Sequence, residues 1–515
     1  MSYQEFLSTK QIVTVPSGFE VEPRNPNLFD FQRDLVRWAL RIGKSAIWAD
    51  CGLGKSLMEL SWGEHVVEHY NKPVLILAPL AVSHQTVREG DKFGISAKVV
   101  SSQSEITEPG IYVTNYEKLH HFDPSAFAGV VLDESSILKS YTGATRNELI
   151  QKFSRTPMRL CCSATPAPND FMELGSHSEF LGVLTRTEML STFFVHDGGE
   201  TSKWRLKGHA QNEYWKWMCS WAVMLRKPSD LHYDDNGFTL PPLNHVQHTV
   251  PSIKPLDGML FHSEAQTLIE RRGARRDSIT ERAQLCRDLM FNGQDDQWVV
   301  WCGLNAEQDA LAKLCGDDCV SIYGSLSDGE KEARLLQWLR KEKRILLSKV
   351  SIFGWGLNLQ QCHNVVFFGL SDSFEEMYQG VRRCWRFGQE SEVNCHVITS
   401  EAEGAVVRNI QRKEADAAIM AKAMVKHMSV YNEAAVHSST VRTADEYKTA
   451  TEYGEGWEMK LGDCVERIQE IDPNSIHYQV FSLPFESLYT YSASERDMGN
   501  CRDSEEFLAT LSLSD

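Results

Sequence analysis

Residues 45–56, Ser-Ala-Ile-Trp-Ala-Asp-Cys-Gly-Leu-Gly-Lys-Ser, have the types and spacing of a phosphate-binding loop. An apolar run predicts a short buried strand, Gly52 and Gly54 predict a loop, and the residues that follow are helix-forming. Backbone N–H groups of such a loop surround phosphate oxygens, and the helix N-terminus adds its positive dipole. Lys55 would reach the β- and γ-phosphates, and the Ser56 hydroxyl would bind Mg²⁺. A simple glycine turn between core elements is the alternative.

Two adjacent carboxylates, Asp133 and Glu134, directly follow the apolar run 130–132. Hydrolysis of a phosphoanhydride needs one carboxylate to hold Mg²⁺ and another to orient the attacking water, roles that suit Asp133 and Glu134 respectively. Ligands of parallel sheets bind at the carboxyl ends of the strands, where both this pair and the phosphate loop are expected. The alternative is a solvated acidic turn.

A further apolar run, 160–162, ends in the hydroxyls of Ser163 and Thr165. These hydroxyls could hydrogen-bond the acidic pair and report the nucleotide state, or they could only cap the strand end. Gln32, which lies ahead of the phosphate loop, could read an adenine edge with its amide or could be solvated.

The segment Gln379-Gly-Val-Arg-Arg-Cys-Trp-Arg-Phe-Gly-Gln in the second half carries two arginines that could complete such a site. On a predicted helix, Arg383 and Arg386 lie three residues apart and project from one face. Guanidinium groups at a lobe interface can neutralise the charge that builds up on a transferred phosphoryl group. A solvated basic helix is the alternative. A glycine-rich loop, residues 354–360, precedes this segment.

Apolar runs alternate with helical stretches in both halves of the chain, which predicts an α/β fold with two parallel sheets. The second set of strands has no phosphate loop, so its lobe is expected to close over the first. Leu240-Pro-Pro-Leu243 is the predicted hinge between the lobes. The predicted strands lie near 46–49, 74–80, 112–116, 130–132, 160–162, 298–302, 320–324, 344–348 and 365–368.

Asp-Cys-Gly-Leu-Gly-Lys-Ser, Asp-Glu-Ser-Ser and Ser-Ala-Thr-Pro resemble motifs I, II and III of superfamily-two helicases, in that order. The continuation to Asn-Asp-Phe-Met-Glu-Leu looks most like the Swi/Snf branch, whose members are ATP-driven DNA motors with two RecA-like lobes. Residues 354–360 and 379–389 resemble motifs V and VI. The resemblance therefore implies two RecA-like parallel-sheet lobes with helical insertions and a short C-terminal appendage.

Carried over residue by residue, the resemblance implies ATP and Mg²⁺ as cofactors. It places Asp133 and Glu134 in hydrolysis and makes Arg383 and Arg386 the arginine fingers. The residues it places at the nucleotide are Gln32, Gly52, Gly54, Lys55, Ser56, Gly356 and Gln379. Three positions depart from the usual pattern: Ala49 replaces the first glycine, Ser-Ser replaces Ala-His after Asp-Glu, and Trp385 replaces a frequent histidine.

Domain boundaries follow from these patterns. Aromatic and basic residues alternate in 186–250, and the basic residues Lys203, Arg205 and Lys207 are candidates for DNA-backbone contacts. Trp217 and Trp221 are better interpreted as core residues. The predicted units are an irregular lead-in (1–27), lobe 1 (28–185), a helical insertion and linker (186–250), lobe 2 (251–425), a linker (426–455) and a tail (456–515).

The whole chain carries a net charge of −17 and has a pI near 5.5, so any nucleic-acid surface must be local. The 13 cysteines include no Cys-x-x-Cys pair, which predicts reduced thiols in the cytoplasm, or in the host cytoplasm for a viral protein. Cys315 and Cys319 have half the spacing of a zinc site without a second pair nearby. Neither a signal peptide nor a membrane-spanning stretch is recognisable, so no membrane partner is expected.

The tail contains Ser-Leu-Pro-Phe at 482–485 after a predicted strand, 476–481. This arrangement resembles the catalytic loop of DNA amino-methyltransferases, in which an aromatic residue stacks on a flipped base. Leu483 replaces the first proline, and no glycine-rich methyl-donor motif follows. We interpret the tail as a remnant or as one half of a split enzyme, which would require a methyltransferase partner or a missing half.

The sequence thus predicts an ATP-dependent DNA helicase or translocase that hydrolyses ATP between two lobes and moves along double-stranded DNA. The family branch favours translocation over unwinding. One alternative is the motor component of a DNA-modifying system of methyltransferase or restriction-modification type. Another is a nucleotide-gated binding protein that does not move.

Overall fold

The computed structural model describes residues 16–79, 82–140, 142–197, 200–251, 267–292, 296–353, 358–434 and 449–480, together with a few positions between 482 and 509. Two large parallel sheets, each flanked by helices, dominate these residues. The prediction of an α/β fold with two RecA-like lobes is therefore confirmed.

The first lobe is built on a seven-stranded parallel sheet with the order β3-β4-β2-β5-β6-β1-β9, and a two-stranded antiparallel hairpin, β7-β8, lies beside it. Five consecutive apolar residues form β2, and all of them are buried because helices cover both faces of the sheet. Its strands are β1 Lys44–Ala49, β2 Val74–Ala78, β3 Ala97–Val99, β4 Ile111–Asn115, β5 Gly129–Asp133, β6 Met158–Cys162, β7 Phe194–Asp197, β8 Glu200–Leu206 and β9 Ala222–Leu225.

Helices of the first lobe bury one face against this sheet. In α1 the buried residues Phe31, Leu35 and Ala39 recur at the helical period, and Asp30 favours the N-terminal turn. The helices are α1 Asp30–Ile42, α2 Lys55–Tyr70, α3 Ser83–Phe93, α4 Ala144–Phe153, α5 Leu174–Leu181, α6 Arg186–Phe193 and α7 Gln211–Cys219.

The second lobe contains a six-stranded parallel sheet with the order β10-β15-β14-β11-β13-β12. Its strands are β10 Leu243–Val250, β11 Trp298–Cys302, β12 Cys319–Ser321, β13 Ile345–Ser348, β14 Asn364–Phe368 and β15 Val393–Ser400. Its helices are α8 Leu268–Asp277, α9 Ile279–Phe291, α10 Asn305–Cys315, α11 Asp328–Leu339, α12 Val350–Phe353, α13 Phe374–Val381 and α14 Gly404–Ala434.

The long helix α14 follows the second sheet but packs on the first lobe. Met420, Met424 and Met428 belong to the hydrophobic core of the first lobe. The Cys219 thiol at the end of α7 lies 3.7 Å from the Met424 carbonyl oxygen. The last helix of the second half therefore holds the two lobes together.

Residues 186–250, predicted to be a helical insertion and linker, contain strands of both sheets. Ala222–Leu225 pairs with β1 at the edge of the first sheet, and Leu243–Val250 pairs with β15 at the edge of the second. The predicted linker therefore leads directly into a strand at Leu243. The domain boundaries themselves stay a prediction.

The tail forms an antiparallel hairpin of β16 Ala450–Gly454 and β17 Trp457–Leu461, followed by the short helix α15 Cys464–Arg467. The strand predicted at 476–481 is wrong for its described part, because residues 476–480 are exposed and have no regular structure. An isolated strand without a pairing partner leaves its backbone groups to water. Ser482 is described, whereas the rest of the Ser-Leu-Pro-Phe segment lies outside the described residues.

A buried ion-pair network in the second lobe gives a test of stability. The Glu307 carboxylate accepts from Arg282 Nη2 at 2.9 Å and from Arg275 Nη2 at 3.0 Å. It also accepts from two backbone N–H groups, each at 2.9 Å. Glu307→Ala leaves Arg282 buried without its carboxylate and leaves Arg275 with only Glu403 at 3.8 Å. We therefore expect a loss of about 3–5 kcal/mol in the free energy of unfolding of this lobe, measured by urea denaturation.

An exposed pair on α14, Arg412 and Asp416, supplies the control. Asp416→Ala should change the same free energy by no more than about 0.5 kcal/mol. Equal effects of the two variants would contradict the assigned role of the buried network.

Candidate active site

The phosphate loop lies between β1 and α2, at the carboxyl end of the first sheet. Gly52 and Gly54 have φ angles of +91° and +77°, a backbone region that favours glycine. The Lys55 ammonium donates to the Ala49 carbonyl oxygen at 2.8 Å and to the Asp50 carbonyl oxygen at 3.4 Å, so it folds back over the loop. Its pKa is raised: burial lowers it, but the Cys51 thiol and the nearby carboxylates raise it more. The loop therefore holds a protonated ammonium at its centre.

Gln32 supports this loop from α1. Its Nε2 donates to the Leu53 carbonyl oxygen at 2.8 Å, and its Oε1 accepts from the Phe29 N–H at 2.9 Å. A Cβ added to Gly54 would lie 2.3 Å from Gln32 Nε2, so only glycine allows this approach. Both ends of the Gln32 amide are thus engaged inside the first lobe, and its contact with adenine stays a prediction.

The acidic pair lies two strands away from the loop, at the end of β5. Glu134 has a left-handed φ of +55°, and the Tyr116 hydroxyl donates to the Asp133 carbonyl oxygen at 2.7 Å. From β6, which separates β5 from β1, the Ser163 hydroxyl donates to Glu134 Oε2 at 3.3 Å. The Thr165 N–H donates to the Ser163 hydroxyl at 3.0 Å. The structure thus brings Ser163 into contact with Glu134, whereas Thr165 contacts Ser163 through its backbone N–H and not the acidic pair.

Burial dominates the electrostatics of the acidic pair. Burial, followed by the charge of Glu134, raises the pKa of Asp133 to about 7. Burial likewise raises the pKa of Glu134, while Lys55 and Arg383 act to lower it. A divalent cation or additional guanidinium groups would favour the charged forms.

The available donors fit Mg²⁺. The Ser56 hydroxyl and the Asp133 carboxylate are hard oxygen ligands, and Mg²⁺ in nucleotide sites is held by one or two such groups together with phosphate oxygens. In the part of the chain that the structure describes, no group of three or more His, Cys, Asp or Glu side chains is arranged to hold a metal ion. Ser56 and Asp133 are thus donors of the type that holds a nucleotide-bound Mg²⁺.

The second lobe reaches this site through Gln379 and Arg383. Arg383 Nη2 donates to Gln379 Oε1 at 2.8 Å and lies 4.0 Å from the Cys51 thiol of the phosphate loop. Gln379 Nε2 lies 3.4 Å from Glu134 Oε1. The structure therefore brings the predicted motif VI glutamine and its first arginine together with the predicted motif I and II residues.

The two arginines do not lie on one face of a helix as predicted. Helix α13 ends at Val381, and residues 382–388 form turns, in which Arg383 donates through Nε to the Gln379 carbonyl oxygen at 3.1 Å. Arg386 is half-buried on these turns, and burial, followed by the Arg383 charge, lowers its pKa. The Phe387 backbone nitrogen would lie 2.9 Å from a Cβ on Gly52, so the turns cover the phosphate loop.

Other predicted residues lie elsewhere. Gly356 lies outside the described residues. The Lys203 side chain, on β8, also lies outside the described residues, whereas Arg205 on the same strand is exposed. Lys207 is only 2% exposed, and its ammonium donates to the Ser191 and Thr192 carbonyl oxygens at 2.8 and 3.1 Å. Lys207 is therefore a wrong prediction for a DNA contact, because its charge is used inside the first lobe.

Several inter-lobe contacts were missed from the sequence. Asp50 accepts from Tyr378 and Arg382, which lie in the second lobe. Lys413 donates to Asn169 Oδ1 at 2.8 Å. Asp50 and Arg382 directly adjoin the recognised motifs and carry opposite charges, which is the only sequence signal of their pairing.

No helix in the described ranges has both the length and the apolar character needed to cross a membrane.

Comparison with known proteins yields one family match, in the second half of the chain. Residues 281–388 match the helicase conserved C-terminal domain, and this span includes Arg383 and Arg386. Protein p41 of Acyrthosiphon pisum secondary endosymbiont phage 1 is 27% identical over 175 residues, which cover 29% of this chain and 38% of that protein.

Chromatin-remodeling ATPases named INO80 also match. The Drosophila melanogaster protein is 28% identical over 200 residues (33% of this chain, 12% of the relative). The Candida glabrata protein is 23% identical over 312 residues (53% of this chain, 20% of the relative). The ATP-dependent RNA helicase SUB2 of Saccharomyces cerevisiae is 24% identical over 141 residues (27% of this chain). The matches span 12% to 38% of these relatives' own lengths.

Among solved structures, the Sulfolobus solfataricus SWI2/SNF2 ATPase core in complex with dsDNA matches with a TM-score of 0.39 and 18% identity, over 81% of this chain and 97% of that chain. The chain is thus similar to helicase-type proteins in its second half and to chromatin-remodeling ATPases over part of its length. These matches give no support to the methyltransferase-like interpretation of the tail.

His177, which lies next to the acidic pair, gives a test of how the stability of the fold depends on pH. Its Nε2 lies 3.1 Å from the Ser135 hydroxyl, and burial lowers its pKa to about 4. A histidine with a lowered pKa stabilises the fold fully above its ordinary value of about 6.5, and this contribution is lost as the pH falls towards 4. We therefore expect the free energy of unfolding to fall less steeply between these pH values in His177→Gln than in the unaltered protein, measured by urea denaturation at each pH.

His84 is exposed, and His84→Gln is the matched control. Its slope should equal that of the unaltered protein. An unchanged slope in His177→Gln would show that the buried imidazole does not contribute to the acid sensitivity.

Proposed function

We propose that the protein hydrolyses ATP in the cleft between its lobes and uses opening and closing of the cleft to move along double-stranded DNA. The observation that carries this proposal is the position of Arg383. This second-lobe guanidinium lies 4.0 Å from Cys51 in the phosphate loop of the first lobe, while Gln379 approaches Glu134. A site made by both lobes couples nucleotide chemistry to their relative position.

Each residue has a role in this proposal. Lys55 and the N-terminus of α2 bind the phosphates, and Ser56 with Asp133 would hold Mg²⁺, which neutralises charge on the phosphate oxygens. Glu134 orients the attacking water. Arg383 and Arg386 stabilise the charge that develops on the transferred phosphoryl group.

Hydrogen bonds link the site to both sheets. Ser163 and Thr165 connect Glu134 to the end of β6, and Gln379 connects Glu134 to α13. Loss of the γ-phosphate changes the charge that Arg383 faces, which weakens the hold of the second lobe on the first. Cycles of ATP binding and hydrolysis would therefore switch the protein between closed and open arrangements of its lobes.

We infer from the relatives that DNA is the polymer along which the protein moves. Two of them are named chromatin-remodeling ATPases, and the recognised motifs resemble a DNA-motor branch. A further relative is named an ATP-dependent RNA helicase, so RNA belongs in the test. The net charge of −17 requires a local basic surface, for which exposed Arg205 remains a candidate.

Three substitutions test the hydrolytic site. Lys55→Ala removes the phosphate-binding charge, and Glu134→Gln removes the carboxylate that orients water. Both should reduce DNA-stimulated ATP hydrolysis by at least about 10²-fold, and Arg383→Ala should reduce it by about 10³-fold. The measurement is phosphate release with duplex, forked and single-stranded DNA and with RNA, combined with a fluorescent-nucleotide binding assay in which Glu134→Gln should still bind ATP.

Asp416→Ala, on an exposed part of α14, should hydrolyse ATP at the unaltered rate. Retained hydrolysis in Lys55→Ala or Glu134→Gln would overturn the proposal, and ATP binding without stimulated turnover in the unaltered protein would favour a nucleotide-gated binding protein. Displacement of a third strand from a triplex, without separation of a tailed duplex, is the outcome expected for translocation.

A further inference from the structure

A buried polar cluster joins the two lobes beside the phosphate loop. It consists of Asp50 from the first lobe and Tyr378 and Arg382 from the second, and we call it the inter-lobe latch. Asp50 is fixed in the first lobe by two backbone contacts. Its N–H donates to the Leu225 carbonyl oxygen at 3.0 Å, and its Oδ1 accepts from the Cys51 N–H at 2.6 Å. The carboxylate is therefore part of the loop architecture.

Within the described residues, the side chains that donate to this carboxylate come from the second lobe. The Tyr378 hydroxyl donates to Asp50 Oδ1, and Arg382 Nη2 donates to Asp50 Oδ2. Asp50 and Arg382 are each only 7% exposed, so each charge depends on the other for compensation. The Arg382 guanidinium also lies 4.2 Å from the Trp385 ring centroid and 5.2 Å from that of Tyr378. Packing and charge together restrict the motion of the Arg382 guanidinium.

Arg382 is the chain neighbour of Arg383, the residue that approaches the phosphate loop. Helix α13 ends at Val381, and backbone hydrogen bonds tie the turns to it: the Arg382 N–H donates to the Tyr378 carbonyl oxygen at 3.0 Å. The side-chain contacts of the latch add a connection to the first lobe, and the Leu359 N–H donates to the Arg383 carbonyl oxygen at 2.9 Å. A shift of Arg382 must therefore move Arg383 and its contacts with Gln379 and Cys51.

Other contacts hold the lobes together without touching these turns. Lys413 on α14 donates to Asn169 Oδ1 at 2.8 Å, and Met424 lies in the core of the first lobe. Contact between the lobes thus does not require the latch, whereas the position of residues 382–388, which we call the arginine segment, does.

We propose that Asp50 is a positioning residue of the ATPase reaction. Through Tyr378 and Arg382, its carboxylate sets the place of Arg383 against the phosphate loop. This inference rests on the proposed ATP hydrolysis and adds to it a chemical group outside the recognised phosphate, acid and arginine roles.

The test compares Asp50→Asn, Tyr378→Phe and Arg382→Gln with the unaltered protein and with Lys413→Met, which removes an inter-lobe hydrogen bond made to Asn169 and not to the arginine segment. Single-turnover ATP hydrolysis reports the chemical step, and a fluorescent ATP analogue reports binding. We expect Asp50→Asn to lose about 10²-fold in the hydrolysis rate, the scale of a catalytic group displaced by about 1 Å. The affinity for the analogue should stay within about threefold, because the phosphate-binding groups remain in place.

Tyr378→Phe keeps the aromatic ring and leaves no charge unpaired, so it tests the latch even if Asp50→Asn fails to fold. It should lose about tenfold in the hydrolysis rate, the scale of one hydrogen bond to a charged group. The double variant Asp50→Asn/Arg382→Gln should hydrolyse ATP no more slowly than the slower of the two single variants. The effects of substitutions in residues that act as one unit are not additive. Lys413→Met should hydrolyse at the unaltered rate.

Unaltered hydrolysis in Tyr378→Phe and in a folded Asp50→Asn would overturn the proposal, as would multiplicative losses in the double variant. Equal losses of hydrolysis and nucleotide affinity would also overturn it, because they indicate damage to the loop itself. Failure of the ATPase proposal has a separate signature, since Lys55→Ala would then hydrolyse ATP as fast as the unaltered protein.

Discussion

Charges buried between two lobes are stable only while each has an opposite charge or a hydrogen-bond partner. In this cleft the first lobe contributes the carboxylates of Asp50 and Glu134, and the second lobe contributes Arg382 and Gln379 opposite them. Neither lobe alone provides these partners. The same contacts that stabilise the closed arrangement therefore assemble the candidate active site, and any change of charge at the nucleotide must alter the balance between closed and open forms.

Helix α14 limits which motions are available. It starts after the last strand of the second sheet, yet its methionines lie in the core of the first lobe. A long helix packed on one lobe and connected to the other favours a restricted rotation of the second lobe over complete separation. Methionine suits such an interface, because its flexible side chain keeps contact during small displacements.

Much of the fold could be predicted from the sequence, because strands buried on both faces are uniformly apolar. This holds for Val74–Ala78 and Trp298–Cys302, where every residue is buried. The edge strand Leu243–Val250 was missed for the converse reason: it is mostly polar and largely exposed, so no apolar run marks it. The arginine turns were predicted as helix because helical spacing alone cannot show that α13 ends at Val381.

The candidate site could be predicted only where its residues are close in sequence. Phosphate chemistry imposes local spacing, which made the phosphate loop and the acidic pair recognisable. Asp50 and Arg382 are separated by 332 residues, so no sequence pattern joins them.

Trp385 shows how a departure from a familiar pattern can carry structural information. The resemblance left the coupling uncertain at this position, where a histidine is frequent. Trp385 Nε1 donates to the Pro241 carbonyl oxygen at 2.7 Å, while its ring packs against the Arg382 guanidinium. One side chain thus contacts both the linker that connects the two sheets and the cation that pairs with Asp50. Rotation at the linker must therefore displace the arginine segment. The phosphate loop, the latch and the hinge form one continuous set of contacts.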